Sequence, residues 1–230
     1  MPLITQSDPG SENYGVVNGH TTGRHMVDPS LEGTRQHRWM HGHNNVKPEI
    51  TWSQLHCRFT PGVKYLLDDG LNKGWYDPSD PLDMLLFHWL FIPWLQGELD
   101  TWKDSHNMTP KHADKNKILP HGRPQLICEA PTMFNSLDFK VPLPQAAIEN
   151  IQNQYAPADD PVFHLVLTAF DNLAHCIYNN IGHPTIVCDT IWGIYAQMLV
   201  QVHDVYATDP TPALRAACEP SSLNDGLDQD

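Results

Sequence analysis

The segment from Leu82 to Asp104 places the strongest constraint on how this chain can fold. Leu82, Leu85, Leu86, Trp89, Leu90, Trp94, Leu95, Leu99 and Trp102 recur every three or four residues, the spacing that sets apolar side chains along one stripe of an α-helix. Such a stripe has to be buried. The segment therefore predicts a long core helix with other helices packed around it, kinked at Pro93, whose ring removes an intrahelical N–H. Its Trp positions fall among the Leu positions, so they are expected in the core and not as a platform for stacked bases. The longest apolar run, Met84 to Leu95, is broken by His88 and falls short of the ~20 residues that cross a bilayer. No membrane partner is expected.

The chain before this segment carries weaker signals. Pro2 to Thr5 reads as a short strand that ends on Asp8 and turns through Pro9-Gly10. Glu12 to Val27 predicts a weak helix, because Gly15, Gly19 and Gly23 interrupt it. After a break at Asp28-Pro29-Ser30, Leu31 to Asn45 reads as a polar connection rich in His and Arg. A helix is expected from near Pro48 to Thr60, with Pro48 tolerated in the first turn, and another from Val63 to Lys73, closed by Gly74.

Beyond the core segment, residues 105–125 form a basic, Pro-punctuated loop. Pro144 to Tyr155, Val162 to Asn179 and Thr185 to Tyr206 predict three helices, the last two joined as a hairpin through Asn180 to Pro184. Residues 207–230 are polar and acidic and are expected to be disordered. The fold class expected is mostly α, with a small α/β remnant at the start followed by a helical C-terminal region. It is divided as 1–60, 61–140 (helical extension and basic loop), 141–206 (helical subdomain) and the 207–230 tail.

Charge is distributed unevenly. The net of −13 for the chain resolves into 13 of the 14 Lys and Arg against 16 acids in residues 1–140, and Arg215 alone against 11 acids in residues 141–230. The overall acidity therefore does not exclude a nucleic-acid partner for the first part, while the second would repel one. Five cysteines, Cys57, Cys128, Cys176, Cys188 and Cys218, are odd in number and form no CxxC pair. That argues against both a disulfide framework and a structural zinc site. An intracellular setting fits, and no signal peptide is read at the start.

Two short stretches carry the functional reading: Ser7-Asp8-Pro9-Gly10-Ser11-Glu12-Asn13 and Asn45-Val46-Lys47-Pro48-Glu49-Ile50-Thr51-Trp52. Taken singly, Asp8 reads as a turn aspartate and Glu49 as a first-turn helix acid favoured by the macrodipole. Taken together, they resemble the integrase core domain, the DDE, RNase H-like catalytic domain, in its fungal transposon-derived form. There a strand ends in SDxGxEN, and a later helix begins near N-[IV]-[RK]-x-E-x-x-W. The Trp-rich segment and the Ser105-His106-Asn107 and Thr109-Pro110-Lys111 stretches resemble the region that follows, so the likeness covers roughly residues 1–125.

The resemblance implies that Asp8 and Glu49 are catalytic metal ligands for Mg²⁺ or Mn²⁺ in DNA strand transfer, the chemistry of DNA integration. It also implies a first catalytic Asp on an upstream strand, which has no counterpart in this sequence. The resemblance thus implies a truncated RNase H-like core, only its C-terminal part over residues 1–60, with its strand at the margin of a missing sheet, and inactive as an isolated chain. Pro48 before Glu49 is a second departure, where the family tends to have an aliphatic residue.

Nucleic-acid contacts are expected where local charge is positive. Residues 20–64 and 103–123 each carry a net of +3, and the candidates are Arg35, Arg38, Lys47, Arg58, Lys111, Lys115 and Lys117. The histidines at 37, 41 and 43, with His20, His25 and His56 nearby, lack a closed ligand set and read as a solvated loop. DNA is thus one expected partner, with a nuclear setting if it is bound. The alternative is a non-catalytic helical interaction module that takes a basic protein through residues 141–206.

Overall fold

A computed structural model of the chain describes residues 1–40, 46–111, 120–208 and 218. The protein is mostly helical, with one small parallel sheet of two strands, which is the class the sequence predicts. It divides into two compact units, one of Met1–Phe59 with Trp102–Phe163 and one of Thr60–Thr101 with His164–Asp230.

The first unit begins with a strand–helix–strand element. Strand β1 (Thr5–Ser7) leads through a 3₁₀ turn at Ser11–Asn13 into helix α1 (Tyr14–Val27), and strand β2 (His37–Trp39) returns parallel to β1. The pairs are Thr5 with His37, Gln6 with Arg38 and Ser7 with Trp39. The first strand lies a few residues later than Pro2 to Thr5, and its backbone is paired with β2, not left without a partner. The second strand arises inside the segment that reads as a polar connection. Its cue is a half-buried His37 and Trp39 alternating with exposed Arg38, the strand period of two, which over three residues is too short to stand out in the sequence.

Helix α1 is regular in spite of its glycines, and two of them explain why. Helix α6 (Gln145–Tyr155) packs on α1 so closely that a Cβ on Gly19 would lie 3.2 Å from Ile151 Cγ2, and one on Gly23 2.9 Å from Ile151 Cδ1. The residues that lower the intrinsic propensity of α1 are those that admit its partner. Thr22 Oγ1 and Tyr155 OH add a hydrogen bond of 2.9 Å across the same face. Helix α2 (Val46–Arg58) starts two residues ahead of Pro48, and the short helix α5 (Pro124–Glu129) follows the basic loop. Among the described residues Val17 is the one buried apolar side chain of this unit, beside the buried polar His20 and Arg24. The apolar core of this unit is thin.

The second unit holds the main core. Helix α3 (Thr60–Asn72) ends at Gly74, whose φ of 66° and the Trp75 N–H to Gly70 O bond of 2.9 Å close the helix in the left-handed conformation that glycine tolerates. Helix α4 (Pro81–Met108), of which residues 81–101 belong to this unit, runs through Pro93 as one element. Leu82, Leu86, Leu90 and Phe91 of α4 are buried against Phe170, Ala174, Ile177 and Tyr178 of helix α7 (Thr168–Asn180). Ile191, Trp192, Ile194, Tyr195, Met198 and Val202 of helix α8 (Ile191–Thr208) close the cluster.

Both hairpin helices start about six residues later than their apolar pattern suggests. Pro161–Phe163 forms a 3₁₀ turn, and Thr190 Oγ1 accepts the Val187 N–H at 3.1 Å while it donates to Thr185 O at 2.8 Å, which holds a turn before α8. Helix α6 belongs to the first unit through α1, whereas α7 and α8 belong to the second. Of the 207–230 tail, Ala207 and Thr208 are helical within α8, and the remainder except Cys218 lies outside the described residues. No helix among the described residues is long and apolar enough to cross a membrane.

Candidate functional site

The C-terminal end of β1 presents Asp8 on an exposed turn. The Asn13 side-chain amide donates to Asp8 Oδ1 at 2.9 Å and to Glu12 Oε1 at 3.3 Å. This amide draws Asp8 and Glu12 together at the head of α1. The sequence motif contains Glu12 and Asn13, yet their contact depends on the 3₁₀ turn between strand and helix.

Behind this turn His37 is locked in a single neutral tautomer. Ser7 Oγ donates its proton to Asp8 O at 2.9 Å, so it accepts from His37 Nε2–H at 3.3 Å. That leaves Nδ1 to accept the Thr5 hydroxyl at 2.9 Å. Burial first, and then the charges of His20 and Arg35, hold His37 below the ordinary histidine range. His37 is therefore a strand-pairing group, and His41 and His43, its neighbours in the sequence cluster, lie outside the described residues.

Glu49 stands in the first turn of α2 and is exposed. Carboxylate oxygens suit Mg²⁺ or Mn²⁺ in chemistry. Among the described residues, however, neither Asp8 nor Glu49 belongs to a group of three metal-ligating side chains, and Asp8 is already engaged by Asn13. This donor set falls short of a centre for two divalent ions.

The predicted nucleic-acid contacts are distributed as follows. Arg35 lies over the Trp39 ring at 5.9 Å, and Arg38 is exposed on β2, on the side opposite His37 and Trp39. Arg58 is the exposed last residue of α2. Lys111 is exposed just past α4 and reaches His106. The side chain of Lys47, and Lys115 and Lys117 entirely, lie outside the described residues. Arg24, counted in the positive excess of residues 20–64, is buried at 8 % exposure and faces Asp28, which it helps to hold ionised after the Ser30 hydroxyl. It cannot serve a phosphate.

One acidic group leaves no mark that sequence reasoning detects. Asp80 and Asp83, at the start of α4, meet His203 of α8, whose Nε2 lies 3.4 Å from Asp83 Oδ1 and 3.9 Å from Asp80 Oδ2. Both carboxylates also serve the local structure. Asp80 Oδ1 accepts the Leu82 N–H at 2.8 Å as the cap of α4, and Asp83 Oδ2 accepts the Asp77 N–H at 2.9 Å. The Asp77-x-x-Asp80-Pro81-x-Asp83 spacing is visible as a helix start, but the pairing with His203 spans more than a hundred residues and has no local signal.

The molecule so described is a mostly helical protein with one strand–helix–strand element. No protein-family model matches it, and comparison with curated proteins and with solved structures likewise gives no match.

Proposed function

We propose that the chain is an integrase-core-like protein of the transposon-derived type that acts beside duplex DNA inside the cell, and that residues 1–230 do not catalyse strand transfer by themselves. One observation carries the reading: a strand ending at Asp8, a helix, a parallel strand and then a helix with Glu49 in its first turn follow each other in that order. It supports the kinship because the motifs alone required only the first strand and the last helix, and the parallel pairing of β1 with β2 was not demanded by either. Asp8 and Glu49 are retained as the positions of the ancestral carboxylates. Among the described residues the set is too small to hold two ions, and the reading assigns it no metal-dependent step.

The test uses the purified chain with labelled duplex DNA. Binding is expected to weaken with salt at a slope of about −0.9 in log K per phosphate contact, with no nicking or joining in Mg²⁺ or Mn²⁺. Strand transfer abolished by Asp8→Asn would overturn the claim of inactivity, and salt-independent or absent DNA binding would overturn the DNA reading.

A second reading is favoured by the absence of Lys and Arg from α7 and α8 within a stretch of net −10: a helical module that binds a basic protein. Salt-sensitive capture of a polybasic protein by the chain, undiminished by excess DNA, would establish it in place of the first.

A further inference from the structure

The second unit brings three metal-ligating side chains together at a place that plays no part in the DNA reading. Asp80 and Asp83 stand at the start of α4 and His203 on α8, with one donor atom of each within 4.8 Å of the other two. His203 Nε2 is 3.4 Å from Asp83 Oδ1 and 3.9 Å from Asp80 Oδ2. The other oxygen of each carboxylate is held by the backbone, Asp80 Oδ1 by the Leu82 N–H at 2.8 Å and Asp83 Oδ2 by the Asp77 N–H at 2.9 Å. The Asp83 carbonyl in turn accepts the Tyr195 hydroxyl at 3.2 Å. Each carboxylate is thus anchored through one oxygen and turns the other toward His203.

The anchors explain one oxygen of each pair and leave the second without a use. Asp83 is 5 % exposed, and among the described residues its Oδ1 has no donor other than His203. No Lys or Arg among the described residues pairs with Asp80 or Asp83. Two carboxylates this close repel each other, and the burial of one strengthens the repulsion. A positive charge among the three donor atoms relieves it, either a proton on His203 or a metal ion. The distances favour the ion. At 3.4 and 3.9 Å Nε2 stands outside the usual range of about 2.7–3.2 Å for an N–H···O bond to either oxygen. Ligands about 2.0–2.2 Å from a tetrahedral metal stand about 3.3–3.6 Å from one another, which is the separation of His203 from Asp83. Asp80 Oδ2 reaches the same edge by a shift of about 0.5 Å.

We propose that Asp80 Oδ2, Asp83 Oδ1 and His203 Nε2 form a binding site for one divalent transition-metal ion of the zinc class. The imidazole nitrogen selects that class over Mg²⁺ and Ca²⁺, which take oxygen ligands. The two backbone N–H groups serve as the outer shell that orients the ligands. Three protein ligands leave a fourth position for water or an anion, and the half-buried Asp80 and His203 open that position to solvent. The positive end of the α4 dipole opposes a cation, and two carboxylates outweigh it. The site is independent of Asp8 and Glu49.

The test uses the full chain, stripped of metal with a chelator, with Zn²⁺ as the probe and Mg²⁺ as the control. Zn²⁺ is expected to bind at one site by calorimetry, to shift the His203 ring signals in NMR and to raise the midpoint of thermal unfolding. Mg²⁺ at the same concentration should do none of these. The His203 signals are assigned by their loss in His203→Gln. Asp80→Asn and Asp83→Asn each keep a side-chain oxygen for the backbone N–H and remove the anionic ligand. Each of the three variants should weaken Zn²⁺ binding by about tenfold or more, since even the outer partners of a metal contribute that much. Circular dichroism reports whether each variant keeps the fold, and the His203 signals of the unaltered chain test the site without any variant. A His203 ring unmoved by Zn²⁺ overturns the site. So does an adventitious ion only, recognised by equal affinity in the folded variants and the unaltered chain.

Discussion

Gly70 of α3 gives the sharpest quantitative test of the second unit. A Cβ built there would intrude on the Trp192 indole, with Cε2 only 2.5 Å away, against an ordinary carbon contact of about 3.5–4.0 Å. Gly70→Ala therefore requires the indole to withdraw by at least about 1 Å. Trp192 has little room to do so: it is 7 % exposed, its ring lies 4.5 Å from Phe91 and 5.3 Å from Tyr195, and its Nε1 donates to Leu66 O at 2.9 Å. Overpacking costs about 1–3 kcal/mol, and a buried indole N–H pulled from its acceptor about 1–3 kcal/mol more. Alanine in place of glycine within a helix returns up to about 1 kcal/mol. The net is a destabilisation of about 1–6 kcal/mol, or roughly 2–12 °C in the midpoint of thermal unfolding for a chain of this size. The control is Gly97→Ala in α4, where a Cβ meets nothing within 4 Å and a gain of up to about 1 kcal/mol is expected. Thermal unfolding followed by far-ultraviolet circular dichroism reads both variants. A Gly70→Ala protein that melts at or above the wild-type temperature would refute the close packing of α3 on Trp192.

Two further outcomes are expected. His37 should titrate below the ordinary histidine value in a histidine-selective NMR titration; because the folded state then binds fewer protons than the unfolded one, its contribution to stability is present above the unfolded value and is lost as pH falls from there toward the folded one. A His37 midpoint at or above the ordinary value would contradict the lock between Thr5 and Ser7. Asp83→Ala should destabilise by about 1–3 kcal/mol, since it strands the Asp77 N–H that its buried carboxylate accepts, and a change in the urea midpoint worth less than about 0.5 kcal/mol would show that the start of α4 does not depend on it.

Local sequence determined most of the helical inventory of this protein. The stripe from Leu82 to Leu90 specified a buried helix because its spacing is satisfied only when one face is covered, and Leu82, Leu86 and Leu90 are the residues that the core buries. Pro48, Gly74 and Pro144 marked ends because their backbone restrictions act within one turn. The turn at Asp8 was legible for the same reason, and Glu49 stands in the first turn of a helix as its surroundings suggested.

Tertiary structure alone decided the pairings. Strand β2 exists because β1 lies beside it, since three residues carry too little pattern to declare a strand unaided. Gly19 and Gly23, unfavourable within α1 taken alone, are required by the approach of Ile151 from a helix more than a hundred residues away. Arg24 counted as surface charge until the fold buried it. The convergence of Asp80, Asp83 and His203 depends on which helices come together. Propensity and periodicity act over a turn or two of chain, whereas a site is assembled by contacts among residues far apart in sequence.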